Sequence, residues 1–506
     1  MKTFEKFLNS SNLLYLTALV SIYTFINNSP NLEVLYGDDS WVVVGSHYNN
    51  LVDKIVCCTI THPGSSIIHQ TIFKYSPNTN AYINILFVFF VVSMLFIIAL
   101  KKELLEPKLK FIFYILLVSS PMLTNYSLRS KPYILEALFS IFILFLLIET
   151  IENKSLNKKY ILLFIFSIFI SLSNIFVLIS FFVVLFRKKI VNLKHFKLEF
   201  LVFIFFVLST TFLSYQRRSN DLENFWGAYF SPIEGGIVLF FRWIYFSTIR
   251  IFSVSNKLDL GALNFSILVS IILFTLGILY LLKKQPYAIE FIFYTILINL
   301  TASIFQIFPF GGSRLNIYYM PLIIYICSCG IYFIIKNLKS FENILFILFV
   351  VFTTLNLISS VPSYYQTTRY FDQNSASEII QFITKSDKDI LIYHGGVWTI
   401  GAYFEEGVRM EKLSYPFRGS GVSDIPTPEF KNKNIHVICK KYENNDLCFN
   451  KITEFLNVNN FSEIYLSGIH IREYQYLPYE KALRNFYGNE EIIIDSEETT
   501  LVRYFK

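Results

Sequence analysis

Nine apolar stretches, near residues 11–27, 81–100, 109–125, 132–150, 198–215, 263–282, 287–307, 317–335 and 341–360, recur along the first part of the chain, most of them separated by short basic turns. Each is close to the roughly 20 residues that a helix needs to cross about 30 Å of hydrocarbon. Lipid offers the backbone no partner, so segments of this length close their hydrogen bonds internally as helices. The chain therefore reads as a polytopic α-helical membrane protein. Its 506 residues are 54% hydrophobic and only 16% charged, which excludes an ordinary soluble domain, where about a quarter of the residues carry charge. The first stretch, LLYLTALVSIYTFI, follows MKTFEKF without a small-residue cleavage site and is read as a retained helix.

Basic residues orient the helices. Lys101, Lys102, Lys108 and Lys110, then Lys154, Lys158 and Lys159, then Arg187, Lys188 and Lys189, then Lys283 and Lys284, then Lys336 and Lys339 mark cytoplasmic turns by the positive-inside rule. Most of the net charge of +7 falls in such turns, so it reports orientation, and no nucleic-acid partner is expected. One segment, YILLFIFSIFISLSNIFVLISFFVVLF at 160–186, has basic clusters at both ends and a polar SLSN in its middle. A single helix would put one cluster outside. The reading is two short helices in a hairpin that turns near Ser173 and Asn174, with one long tilted helix as the alternative. The hairpin brings the total to about eleven membrane helices. The N-terminus is then cytoplasmic, and residues 28–80, 126–131, 216–262, 308–316 and everything after 361 lie on the outer side of the cytoplasmic membrane. Residues 237–254 carry Arg242 and Arg250, would break this parity as a span, and read as an interfacial helix.

Composition changes after residue 360, so the chain divides into a membrane module, 1–360, and a small soluble α/β domain, 361–506. In the latter, SASEIIQFITKSDKDILIYHGG is an amphipathic helix followed by a short strand, and NIHVICKK, SEIYLSG and EEIIIDS repeat the strand pattern. The six cysteines show no metal-ligand or disulfide-framework spacing. Cys439 and Cys448 pair if their compartment is oxidising and otherwise remain two thiols.

The candidate chemistry crowds the outer side. The first outer loop is far longer than the 2–8 residues common between bundle helices, and long loops are usually functional. In it, Trp41, Val44, Tyr48, Leu51 and Ile55 recur at helical spacing, so an amphipathic helix is expected from about Ser40. Asp38 and Asp39 stand at its head, where the helix dipole favours negative charge. One Asp serves as an N-cap; the second has no capping task. Two carboxylates there suit deprotonation of an acceptor hydroxyl, the neighbour orienting the acceptor or holding a divalent metal, which the sequence permits and does not require. His62 precedes Pro63, the expected first residue of a further helix. In NYSLRSKPYILEALF, Arg129 and Lys131 stand at the mouth of the fourth span, with Tyr133 and Glu136 on one face inside it. An acid at that depth is a functional candidate unless it pairs with Arg129 or Lys131. Arg314, in FPFGGSRLNIYYMP, suits a lipid phosphate or snorkels to head groups. His394, in YHGGV, follows a strand and has no catalytic companions.

Together these residues resemble the GT-C superfamily of integral-membrane glycosyltransferases, in the branch of protein O-mannosyltransferases, the lipid A aminoarabinose transferase and RgtA/B/C/D-like enzymes. Asp38 and Asp39 match the acidic pair that opens the first outer loop, and His62 and Pro63 match an HPP motif in which Gly64 replaces the second proline. RSKPY has one residue more than the R-x-Y motif, so either Arg129 or Lys131 takes the cationic place. The hairpin after the fourth span and GGSRLNIYYMP also fit. The resemblance implies transfer of a sugar, with inversion, from a polyprenyl-phosphate donor to a lipid, glycan or protein acceptor on the outer face. By analogy Asp38 is the general base and Asp39 its partner. Arg314, with Arg129 or Lys131, holds the donor phosphate, and His62, Tyr133 and Glu136 line the substrate site. The rival readings are a flippase of lipid-linked sugars, which calls for charges deep in several spans and repeated halves, and a surface-polysaccharide polymerase or ligase.

Overall fold

The computed structural model describes residues 11–28, 42–43, 46, 63–76, 78–100, 105–130, 132–154, 156, 159–171, 173–190, 201, 204–205, 207–208, 230–232, 236–252, 260–310, 314–366, 373–403, 408–410, 428–430, 434–439, 444–469, 471, 473–496 and 498–506. The chain divides into two compact units. One comprises Met1–Pro30, Asn84–Phe212 and Asn224–Thr367; the other comprises Asn31–Ile83, Leu213–Glu223 and Thr368–Lys506. Hydropathy puts the boundary at 360/361, whereas this division groups the first outer loop with the C-terminal residues.

The first unit is helical. Its elements are α1 (Ser11–Asn28), most of α3 (Thr79–Leu100), α4 (Pro107–Val118), α5 (Pro121–Ser127), α6 (Tyr133–Asn153), α7 (Lys159–Ile170), α8 (Asn174–Arg187), α9 (Gly236–Phe252), α10 (Leu260–Lys284), α11 (Pro286–Ile304), α12 (Met320–Asn337) and α13 (Glu342–Gln366). The helix α2 (Pro63–Tyr75) belongs to the second unit. Among the described residues four helices are long and apolar enough to cross a membrane: Thr79–Ala99, Tyr133–Asn153, Pro286–Ile304 and Ile317–Asn337. They and their neighbours leave large apolar side chains exposed, among them Phe89, Phe96, Leu268, Ile272, Phe293, Leu348 and Phe352. A row of such side chains is tolerable in lipid and not in water.

Two expectations meet the structure directly. The 160–186 segment is two helices, α7 and α8, broken at 171–173, with Phe164 against Phe181 (5.3 Å) and Phe182 (6.0 Å) and Asn174 Nδ2 donating to the Ser167 carbonyl (2.8 Å). The 109–125 stretch, read as one span, is instead two helices. Pro121 lacks an N–H to continue α4 and is suited to a first helical turn, and the Ser120 hydroxyl accepts from the Leu123 N–H (3.4 Å), so the chain restarts as α5. The 198–215 stretch lies largely outside the described residues, as does most of the surface helix expected from Ser40, of which Val42 and Val43 are helical.

Ion pairs give the first unit two distinct ends. Lys108–Glu342 (2.7 Å), Lys336–Glu106 (2.8 Å) and Lys188–Glu290 (3.2 Å), with the Tyr287 hydroxyl on Glu152 (3.4 Å), join the starts of α4, α11 and α13 to the ends of α6, α8 and α12. The starts of α6, α8 and α12 therefore lie at the opposite end. Within the bundle, α10 and α12 pack at glycines: a methyl on Gly277 would overlap the Ile326 carbonyl, and one on Gly330 would overlap the Leu273 carbonyl. Small residues that let backbones meet are the usual basis of helix association in lipid.

The second unit contains a five-stranded mixed sheet in the order β4 (Ile435–His436), β1 (Ile390–Ile392), β5 (Glu463–Ile469), β7 (Thr499–Phe505), β6 (Asn489–Ser496). The strands β4, β1 and β5 are parallel, and β7 runs antiparallel to both neighbours. A separate antiparallel pair joins β2 (Val408–Met410) to β3 (Pro428–Phe430). The helices α14 (Gln373–Lys385) and α15 (Val397–Tyr403) cover one face through Ile379, Ile383, Val397 and Ile400, which pack on Ile390, Ile392 and Ile469. The helices α16 (Asn445–Asn459) and α17 (Glu473–Phe486) cover the other through Ile452, Leu456, Tyr479 and Leu483 on Leu391, Leu466 and Val502. Cys439 and Cys448 form a disulfide between the β4 exit and α16. His394 is buried after β1, its Nδ1 at 3.2 Å from the Tyr479 hydroxyl and its Nε2 at 3.4 Å from Gln475 Oε1.

Candidate functional site

The α6 start of the first unit gathers a buried polar cluster. Glu136 sits one turn inside α6, where Pro132 caps the helix, and is 2% exposed. Its Oε1 accepts from the Ser171 hydroxyl (2.5 Å), and Ser171 lies 3.0 Å from the Ser173 hydroxyl. Both serines flank the interruption between α7 and α8, and a helix interruption exposes backbone and side-chain polar groups together. Phe176, near the start of α8, stacks on Tyr318 (5.8 Å, 17° between rings), which precedes α12. Among the described residues Glu136 Oε2, Asn174 Oδ1 and the Tyr318 hydroxyl are buried without a hydrogen-bond partner. These three oxygens make the cluster one that can accept hydrogen bonds from a bound hydroxyl or ammonium group. The SLSN break was visible in the sequence, but that its serines would hold Glu136 was not, and Tyr318 was missed within an apolar run.

The other candidates divide by what is described. Tyr133 is buried on the same face of α6 and meets Tyr126 edge-on (5.0 Å). Arg129 is partly buried in the bend between α5 and α6. Arg314 opens a 3₁₀ turn, Arg314–Tyr319, leading into α12; its side chain lies outside the described residues. By chain position, Arg129 and Arg314 thus belong to the Glu136 end of the bundle. Asp38, Asp39, His62 and Lys131 lie outside the described residues. Pro63 is the first residue of α2, as its place after His62 predicts. Downstream, the buried His69 Nδ1 is 2.8 Å from the Tyr82 hydroxyl, and Phe73 meets Tyr82 edge-on at 5.6 Å. Among the described residues no three His, Cys, Asp or Glu gather to hold a metal ion.

Arg242 is exposed on α9, 5.7 Å from the Phe246 ring, while Ile237, Val238, Phe241 and Tyr245 leave the helix with open apolar surface.

No family model matches the sequence, and no curated protein matches it. Solved structures do. ArnT from Cupriavidus metallidurans bound to undecaprenyl phosphate overlays with a TM-score of 0.57 at 8% identity, covering 98% of each chain. The chain has the GT-C fold. The apo state of the same ArnT overlays with a TM-score of 0.56 at 8% identity, covering 97% of each chain. The archaeal oligosaccharyltransferase AglB from Archaeoglobus fulgidus, in complex with an inhibitory peptide and a dolichol-phosphate, overlays at 0.48 and 11% identity, covering 90% of this chain and 69% of that one. The GT-C likeness to ArnT runs through both units, since it spans nearly the whole length.

Proposed function

We propose that this chain is an inverting glycosyltransferase that moves a sugar from a polyprenyl-phosphate donor to a lipid, glycan or protein acceptor on the outer face of the cytoplasmic membrane. The observation that carries the reading is the end-to-end overlay on ArnT, a structure bound to undecaprenyl phosphate. In the reaction Asp38 takes the proton of the acceptor hydroxyl as its oxygen attacks the anomeric carbon from the face opposite the phosphate. The bond from that carbon to the phosphate oxygen breaks, the carbon inverts, and polyprenyl phosphate leaves with the electron pair. Asp39 orients the acceptor. Arg314, with Arg129 or Lys131, holds the leaving phosphate, where fixed positive charge acts most strongly as negative charge develops. His62, Tyr133 and Glu136 bind substrate.

The topology follows from the same reading, with residues 1–360 as the membrane module of about eleven helices, its Lys-rich end cytoplasmic, and residues 361–506 outside. Pairing of Cys439 with Cys448 supports the second placement, because disulfides persist in oxidising compartments. Asp38→Asn in membranes supplied with radiolabelled polyprenyl-phosphate sugars is expected to reduce transfer at least about a hundredfold at normal expression. Transfer at the wild-type rate removes Asp38 from catalysis.

A further inference from the structure

The same unit that contains the C-terminal sheet contains residues 31–83, and the described contacts between them converge on one side chain. The Tyr403 hydroxyl lies 2.6 Å from Thr79 Oγ1 across 324 residues of sequence. The Tyr403 ring receives Phe73 of α2 edge-on, at 5.9 Å and 83°. Phe73 in turn meets Tyr82 edge-on, and Tyr82 reaches back to His69 on α2. Thus α2 and the opening turn of α3 are locked to each other and to Tyr403.

Tyr403 is a fixed point. It ends α15, whose Val397, Thr399 and Ile400 are fully buried, and the preceding Gly396 packs so closely on β5 that an added methyl would stand 3.0 Å from Ile469 Cβ. The chain that carries Asp38, Asp39 and His62 leads directly into α2, so whatever fixes α2 fixes the exit of that loop. We propose that the C-terminal α/β body serves to hold the first outer loop, with Tyr403 as the positioning residue through which it does so. The catalytic consequence rests on the glycosyl-transfer reading; the holding itself does not.

Hydrogen exchange on the full chain in detergent separates the two. Losing a part-buried hydrogen bond and an edge-to-face ring contact, Tyr403→Ala is expected to raise amide exchange in 65–75 about tenfold, with 463–469 unchanged. Tyr403→Phe keeps the ring contact, and Thr79→Val removes the same hydrogen bond from the loop side; each is expected to raise it about threefold. Unchanged exchange in 65–75 for Tyr403→Ala overturns the proposal. If that variant also loosens 463–469, Thr79→Val decides alone, and unchanged exchange there overturns it too. In transfer assays Tyr403→Ala is expected to lower kcat about tenfold, with most of the activity regained by Tyr403→Phe. Raised loop exchange with wild-type kcat overturns the positioning role. Absence of sugar transfer by the wild-type chain instead removes the glycosyl-transfer reading and leaves the exchange result standing.

Discussion

Replacing Gly277 by alanine tests the closest helix contact described in the bundle. The added Cβ would overlap the Ile326 carbonyl and lie 2.8 Å from Ile326 Cγ2, and on the other side a Cβ on Gly330 would overlap the Leu273 carbonyl and stand 3.1 Å from the Gly277 nitrogen. Neither obstacle is the end of a flexible side chain, so α10 and α12 must separate. In lipid, packing and weak Cα–H···O contacts hold such helices, with little hydrophobic drive to restore them. A Cα–H···O contact contributes about 0.5–1 kcal/mol, and a gap of about 1 Å forfeits up to half the dispersion energy of the atoms lining it. The cost is about 2 kcal/mol, inside the roughly 1–3 kcal/mol typical of overpacking. Cys329 is buried on α12, and Cys327 Sγ stands 3.9 Å from the Ser270 carbonyl of α10, so both report on this seam. With Cys57 and Cys58 replaced by serine, labelling by a thiol-reactive dye is expected to accelerate about thirtyfold in Gly277→Ala, the equivalent of about 2 kcal/mol. Gly488→Ala, where no atom lies within 4 Å of the added methyl, is the control. Equal labelling rates in Gly277→Ala and wild type refute the reasoning.

Glu136→Leu leaves the Ser171 hydroxyl without its carboxylate and is expected to cost about 1–3 kcal/mol, read as a lower melting temperature in detergent. Glu136→Gln keeps an acceptor and is expected to melt near wild type while transferring less sugar; equal loss of stability in both variants reduces Glu136 to a structural role. In the C-terminal unit Glu463 accepts from Lys388 (2.7 Å) and from Arg503 (2.8 and 2.6 Å), which holds its carboxyl below the ordinary value of 4.5. Because the folded value is the lower one, this stabilisation is complete above the ordinary carboxylate value and is lost as pH falls through the folded one. The cluster is partly open to solvent, which screens it, so Glu463→Gln is expected to remove no more than about 1 kcal/mol, and chemical denaturation of this unit should then lose pH dependence in the acid range. An unaltered acid limb disproves the assignment.

Much of the bundle was legible because hydropathy and charge act over whole segments. The helices α3, α6, α11 and α12 fall where apolar length requires, and the SLSN break is visible because polar residues are costly there. The α4–α5 break was lost because a hydropathy window averages over Ser119, Ser120 and Pro121, whose effect is local and geometric. The strand β7, TTLVRYF, was missed for a related reason: its hairpin with β6 turns through Glu498 at φ 58°, without the Gly or Asn that normally marks such a turn. Glu136 was legible as a costly acid, but its partners Ser171 and Ser173 come from a hairpin that only the packed fold brings alongside.

The disulfide also bears on the order of assembly. Cys439 and Cys448 are 9 residues apart. At about 5–20 residues per second of synthesis, they emerge within roughly a second of each other. That is before β5, α17, β6 and β7 have emerged in turn, so the bond can close before most of the sheet is free to align it. The nearest upstream thiols, Cys327 and Cys329, are committed to the α10–α12 seam and do not compete for it. The nascent C-terminal body therefore meets its later strands with the β4-to-α16 connection already set, and oxidation there is a short-range event at the beginning of maturation.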